Sequence, residues 1–192
     1  MFEFITDIDF QILDWVHENL TCPFLDFLMP IITLFGEYGL FFIAVALVML
    51  IFKRTRKTGL MVGVSLLIGL LICNIVLKPT VARIRPYDLR PIDFELLIKK
   101  ATDFSFPSGH TIAAIEAATV LMIRDKRFGI PALVLGVLIS FSRIYLYIHY
   151  PSDVFTSMIL GVLIGIISVV LVNAIWKKVE NSRAEKKSVK KN

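Results

Sequence analysis

Apolar residues run through this chain in long blocks separated by short polar steps. Six blocks stand out, at about residues 22–36, 38–52, 58–77, 108–123, 129–147 and 153–175. A helix that crosses a bilayer needs about 20 mostly apolar residues. Several blocks are slightly shorter, which an extra turn in the interface or a locally thinned bilayer accommodates. Backbone amides in lipid must bond within their own segment, so each block is expected to be helical. Ahead of the first block, IDFQILDWVHENL (8–20) spaces Ile8, Ile12, Leu13, Val16 and Leu20 at near-helical intervals. That spacing predicts an amphipathic helix on the membrane surface. Residues 78–107 are too long for a minimal connection, and DFELLIKKA (93–101) within them is expected to form a short interfacial helix. The predicted fold class is all-α: a polytopic membrane bundle of six transmembrane helices, an N-terminal interfacial helix and a short helix in the outer loop. Residues 1–176 read as one transmembrane domain, and 177–192 as a basic, disordered cytoplasmic tail near anionic lipid.

Composition agrees with this pattern. Of the 192 residues, 56% are hydrophobic and the mean hydropathy is +0.75. Soluble domains run about 45–50% apolar. The net charge of +5 is spread over connections and tail. It forms no basic face on a folded domain, so nucleic acid is not an expected partner. Lys53, Arg54, Arg56 and Lys57 follow the second block, and Arg124, Lys126 and Arg127 follow the fourth. Lys177, Lys178, Arg183, Lys186, Lys187, Lys190 and Lys191 follow the sixth. With six spans all these lie on one side, which the positive-inside rule makes the cytoplasm, with both termini there. The start of the chain is acidic, with Glu3, Asp7, Asp9, Asp14 and Glu18. It lacks the positive region of a secretory signal, so no cleavage is expected. Cys22 and Cys73 lie in separate blocks at no metal-binding spacing and read as packing residues.

The opposite side breaks the charge rule, with Lys78, Arg83, Arg85, Arg90, Lys99, Lys100 and Arg143. Three polar motifs fall there. KPTVARIRP (78–86) closes the third block and PSGH (107–110) opens the fourth. SRIYLYIHYPSD (142–153) joins the fifth to the sixth, with Arg143, His149 and Asp153 spaced as R-x5-H-x3-D. Taken singly, a cation at a helix end is a snorkelling residue and an interfacial histidine is an aromatic with a polar tip. A topology drawn only from apolar runs and basic loops nevertheless brings all three to one membrane surface, the outer one. These stretches resemble the signature motifs of the type 2 phosphatidic acid phosphatase superfamily, over about residues 74–156, with no signature residue departing. The resemblance implies a six-helix membrane lipid phosphatase, whose site is shared with vanadium haloperoxidases.

The residue types suit phosphate ester hydrolysis. That reaction needs charge around three phosphoryl oxygens, a nucleophile, and a proton for the leaving group. Lys78, Arg85 and Arg143 supply three cations, enough to hold a phosphoryl group without a metal. Ser108 and Gly109 start a helix, where free N–H groups and the dipole favour an anion. His149 and Asp153 pair a nucleophilic imidazole with an orienting carboxylate. The resemblance implies that His149 attacks phosphorus. It also implies that His110 protonates the leaving oxygen and later activates water. Asp88, Asp93, Glu95 and Asp103 are scattered through the outer loop in no divalent-cation pattern, so neither a metal nor a cofactor is expected. Asn74, one turn before Lys78, is a candidate to orient it. Glu37 is a candidate to flank the entrance, and Glu116 is a charge inside the fourth block. His17 reads as structural, on the side away from the motifs. Gly59-x3-Gly63 and Gly161-x3-Gly165 suit close helix packing within the bundle.

The expected substrate is a lipid phosphate or diphosphate whose tail stays in the bilayer. An outward site in the plasma membrane, together with the bacterial members of the family, favours undecaprenyl diphosphate, cleaved to undecaprenyl phosphate and phosphate. Phosphatidylglycerophosphate and phosphatidate are the alternatives. A lipid-binding or transport protein without hydrolysis is the rival from another class. The sequence leaves the oligomeric state open and is compatible with a monomer.

Overall fold

The computed structural model describes residues 2–189, and among these the secondary structure is helical with no strand. The helices are α1 (Phe2–Leu20), α2 (Pro23–Leu34), α3 (Leu40–Ile51), α4 (Arg56–Leu70), α5 (Lys78–Val81), α6 (Pro86–Leu89), α7 (Gly109–Arg124), α8 (Lys126–Tyr145) and α9 (Pro151–Val189). A π-helical stretch, Leu71–Leu77, joins α4 to α5. Every apolar block is therefore helical. Prolines at the first turns of α2 and α9 sit where no N–H partner is lost.

Length and apolarity do not give six separate spans among the described residues. Three stretches among the described residues are long and apolar enough to cross a membrane: Arg56–Leu89, Lys126–Tyr145 and Pro151–Ser182. A fourth arises if α2 and α3 count as one span, bent by 41° at the break between them. Contacts along this pair show that it does not turn back. Tyr145 Oη donates to Asp26 at 2.6 Å, and Arg143 donates to Thr33 Oγ1 at 2.6 Å. A Cβ at Gly36 would meet His110 and Ile139, and one at Gly39 would meet Ala113. A Cβ at Gly59 would meet the carbonyl of Ala46. The pair thus descends in one direction, from the motif end of the bundle to the far end. A 12-residue helix rises only about 18 Å, too little for a core of about 30 Å, whereas the two joined are long enough. Gly39, at φ +66°, provides the left-handed residue that restarts the helix after the break.

The far end gathers the basic connections. Arg124 donates to Thr58 at 3.4 Å, and Lys57 lies over the Trp176 ring at 5.7 Å. The opposite end carries the three motifs and, against expectation, α1. Asp9 accepts from the Ser152 amide at 2.8 Å, and His17 stacks on Phe94 with ring centres 3.7 Å apart. His17 is structural, but at the motif end. Two further expectations fail. Residues 93–101 are not helical. Ile92, Phe94, Leu96 and Ile98 face inward while Asp93, Glu95, Leu97 and Lys99 face out. That period of two is an extended segment lying across α1 and Tyr147. The tail is not a coil either: α9 continues to Val189 through Lys, Glu, Arg and Ala, with no Gly or Pro to stop it.

α7 is the centre of the bundle, packed by α4, α8 and α9. Its Ala114, Ala117 and Ala118 are fully buried. A Cβ at Gly161 or Gly165 would strike Ile115 and Thr119, so the second glycine pair brings α9 against α7. Large apolar side chains such as Phe27, Leu47, Leu67, Val134 and Val170 point outward. An apolar coat around helices whose backbone bonds are satisfied internally suits a lipid surround. The chain is a membrane protein.

Candidate active site

The site is built where the end of α4, the start of α7 and the turn between α8 and α9 meet. α8 ends at Tyr145, and the turn 146–150 carries His149. Tyr147 in that turn has φ +58°, a costly conformation for a non-glycine residue. It is held from both sides. Its hydroxyl donates to Asp14 at 2.7 Å and accepts from Arg90 at 2.6 Å. The amides of Ile148 and His149 bond to the carbonyl of Arg143, which fixes the motif as a closed loop.

His149 is buried, and its two ring nitrogens face different groups. Nε2 lies 3.4 Å from Arg85 Nη1, while Nδ1 lies 3.7 Å from Asp153 Oδ2. The second distance is beyond a hydrogen bond but within an ion pair, and such contacts tighten when a substrate arrives. Asp153 opens α9 and is fully buried. Its Oδ2 accepts from Ser105 at 2.6 Å and from the Tyr150 amide at 3.2 Å. Its Oδ1 accepts from Arg83 at 2.5 Å.

Arg85 is also buried and is fixed by carbonyls. It donates to Asp103 O at 2.8 Å, Ile148 O at 2.7 Å and Phe104 O at 3.4 Å. The side chain of Asp103 then bridges Arg85, at 2.5 Å, and Lys78. Burial alone pushes the Asp103 carboxyl up, but the bonds to Lys78 and Arg85 outweigh it and hold it at about 2. Arg143 is buried, with Nη1 on Thr33 and Nε without a hydrogen-bond partner. Lys78, Arg85, Arg143 and Asp103 all lie within electrostatic reach of His149. His110, on the first turn of α7, lies within reach of His149 and the same three cations. The eight residues expected from the motifs therefore gather at one place, with Ser108 and Gly109 at the adjoining helix start.

The details differ at the helix start and around it. Ser108 is the N-cap of α7, but its side chain makes no capping bond. Its amide donates to Ser157 Oγ at 2.8 Å, and its hydroxyl accepts from Thr111. The N–H groups open to an anion are those that follow it. Asn74 lies near Gly109, because the π-helical stretch shifts the face it shares with Lys78. Glu37 is within reach of Arg143, at the α2–α3 break. Glu116 is buried against Gly69, where a Cβ would overlap its carboxyl group, and one of its oxygens has no hydrogen-bond partner. Asp103, Arg83, Asp9, Ser105 and Thr33 were not singled out by the motifs. Only Arg83 left a signal, as a cation on the side where cations are scarce. Among the described residues no group of His, Cys, Asp and Glu converges as a metal site.

Residues 58–177 match the family model of the PAP2 superfamily. An undecaprenyl-diphosphatase of Sulfolobus acidocaldarius is 38% identical over 128 residues, which is 66% of this chain and 61% of that protein's length. Undecaprenyl-diphosphatase BcrC of Bacillus subtilis is 34% identical over 154 residues, 78% of this chain and 74% of its own. The crystal structure of a transmembrane PAP2 type phosphatidylglycerolphosphate phosphatase from Bacillus subtilis superposes with a TM-score of 0.69 at 27% identity. That superposition covers 91% of this chain and 87% of the other.

Proposed function

The chain belongs to the PAP2 superfamily, and on that premise we propose that it is a membrane lipid phosphatase working through a phosphohistidine. The observation that carries this reading is His149, held with Nδ1 toward Asp153 and Nε2 toward Arg85. A neutral imidazole in that setting presents the Nε2 lone pair where the cations gather. The phosphoryl group takes the place of the Asp103 carboxylate, whose two oxygens stand in for two phosphoryl oxygens on Lys78 and Arg85. Arg143 and the amides at the start of α7 take the remaining charge. Nε2 attacks phosphorus, the bond to the leaving oxygen breaks, and that oxygen departs with the electron pair and a proton from His110. Asp153 offsets the positive charge on the ring. Water, losing a proton to His110, then attacks phosphorus and releases His149.

The two undecaprenyl-diphosphatase relatives favour undecaprenyl diphosphate as the substrate, with undecaprenyl phosphate and phosphate as products. Taking the basic end as cytoplasmic, the motif end and α1 face outside and the C-terminal helix lies inside. With the α2–α3 pair as one crossing and α7 (Gly109–Arg124) added to the four spans as another, the chain crosses five times, so the termini fall on opposite sides. The test is phosphate release by the purified chain in detergent with EDTA. Undecaprenyl diphosphate, phosphatidylglycerophosphate and phosphatidate are compared in parallel. The diphosphate is expected to turn over fastest. Activity that appears only with added divalent metal, or none on any of the three, overturns the reading.

Asp103 competes with the substrate under this reading. It stays ionised far below neutral pH, so its competition persists across any working range. Asp103→Asn keeps the shape and removes the charge. With the carboxylate half-exposed, the ion pairs contribute about 1 kcal/mol. The inhibition constant for inorganic phosphate is expected to fall about fivefold. A rise instead would make Asp103 a support for the cations rather than their resting counter-ion.

A further inference from the structure

We propose that the N-terminal helix is part of the catalytic apparatus: Asp9 and Arg83 position the Asp153 carboxylate that serves His149. This inference rests on the reading of His149 and Asp153 given above.

Asp153 is fully buried, and a buried carboxylate needs a firm partner. His149 is not that partner in the resting site, since Nδ1 is 3.7 Å away. Arg83 is. Its Nη1 donates to Asp153 Oδ1 at 2.5 Å and to Ser152 Oγ at 2.8 Å. Its Nη2 donates to Asp9 Oδ2 at 2.7 Å and to Thr6 Oγ1 at 3.3 Å. The guanidinium lies over the Tyr150 ring, 3.8 Å from its centre. With four donors taken and one face covered, Arg83 is placed to orient a neighbour and not to bind phosphate. By holding Oδ1, it leaves Oδ2 as the oxygen turned to the imidazole.

Asp9 completes the arrangement. It is 2% exposed on α1 and accepts from Ser152 N at 2.8 Å and Ser152 Oγ at 2.6 Å as well as from Arg83. It thus grips both Arg83 and the first turn of α9, one residue from Asp153. One guanidinium between two carboxylates leaves the trio net negative. Asp153 therefore keeps charge to offer the ring when His149 gains a phosphoryl group. Were Asp9 neutral, Arg83 would cancel Asp153 and that attraction would weaken. Phe10 on α1 packs edge-on against Tyr150 at 5.5 Å, so the same helix also fixes the aromatic floor under Arg83.

The experiment is a double-mutant cycle on phosphate release from undecaprenyl diphosphate in detergent. It uses Arg83→Gln, Arg83→Lys, Asp9→Asn and Asp153→Asn, each checked for a monodisperse, thermally folded protein. Orienting groups behind a reacting residue typically contribute about 10- to 100-fold. Arg83→Gln is expected to lower kcat by that amount with KM changed less than about twofold. Arg83→Lys is expected to recover part of the loss, and Asp9→Asn to lower kcat about tenfold. In an Asp153→Asn background, Arg83→Gln is expected to cost nothing further, because its effect passes through Asp153. An equal loss in both backgrounds, a change in KM alone, or an Asp9→Asn protein with full kcat overturns the proposal. If Arg83→Gln does not fold, Arg83→Lys and Asp9→Asn in the two backgrounds decide it. Full activity of His149→Ala sinks the phosphohistidine reading itself. A silent His149→Ala beside an unaffected Arg83→Gln sinks this inference alone.

Discussion

His149→Ala is expected to lower phosphate release by about 10⁴- to 10⁶-fold, the cost of removing a covalent nucleophile. The imidazole is buried between Asp153 and Arg85, and the neighbouring Ser105 hydroxyl is spent on Asp153 Oδ2 at 2.6 Å. The Cys73 thiol points to the carbonyl of Pro107 at 3.8 Å and belongs to an apolar cluster. Water cannot replace the ring, because it would lack both the lone pair aimed at phosphorus and the carboxylate behind it. The decisive measurement is trapping. Wild-type protein mixed with substrate labelled at its terminal phosphate and quenched in base should carry the label, which acid then removes, as for a phosphorus–nitrogen bond. His149→Ala should carry none while remaining monodisperse. Label that survives in His149→Ala would place the nucleophile elsewhere.

The helices were legible in the sequence because lipid leaves the backbone little else to do. Their count was not. Gly36-Glu37-Tyr38-Gly39 reads as a reversal, since a bend and a reversal use the same residues. The deciding signal was length. Two helices of 12 residues each fall well short of a bilayer, and joined they suffice. Residues 177–189 continue α9 because Lys, Glu, Arg and Ala favour a helix, and 190–192 lie outside the described residues. Residues 93–101 were expected to be helical and are extended. The alternation from Ile92 to Ile98 was the better guide, because one side of that segment faces α1 and the other faces water.

The site divides along a different line. Lys78, Arg85, His110, Arg143, His149 and Asp153 were legible because each carries chemistry that few residue types can supply. Their partners were not, because they act through distance in space. Asp9 meets Ser152 across 143 positions and Arg83 across 74, with no local spacing to mark either contact. Asp103 looked like one of four loose loop acids, yet it is the one that lies on two site cations. Thr33 sits in an otherwise apolar helix whose one charge is Asp26, and the packing of α2 on α8 brings it to Arg143 across 110 positions.

His110→Ala is expected to separate the two substrate classes. In the first step the leaving group of a lipid diphosphate is a phosphate monoester, whose second ionisation lies near 6. The leaving group of phosphatidate is an alkoxide, whose conjugate acid is about as weak as water, near 15.7. A general acid contributes about 10²- to 10⁴-fold where protonation is needed, so kcat/KM for phosphatidate should fall by that much. For undecaprenyl diphosphate the fall in kcat/KM should stay near tenfold, because so good a leaving group gains little from the proton that His110 supplies. The second step is common to both, since the same phosphohistidine must be hydrolysed and His110 must activate the water. The variant should therefore stall after the first chemical event on the diphosphate. Rapid quenching should show a burst of undecaprenyl phosphate equal to the enzyme present, followed by slow turnover, with labelled protein accumulating. Wild-type protein should carry a smaller, steady share of label under the same conditions, because its second step keeps pace. Equal losses on both substrates, with no burst, would mean that His110 is not the proton donor of the first step and that its position beside Gly36 serves the fold.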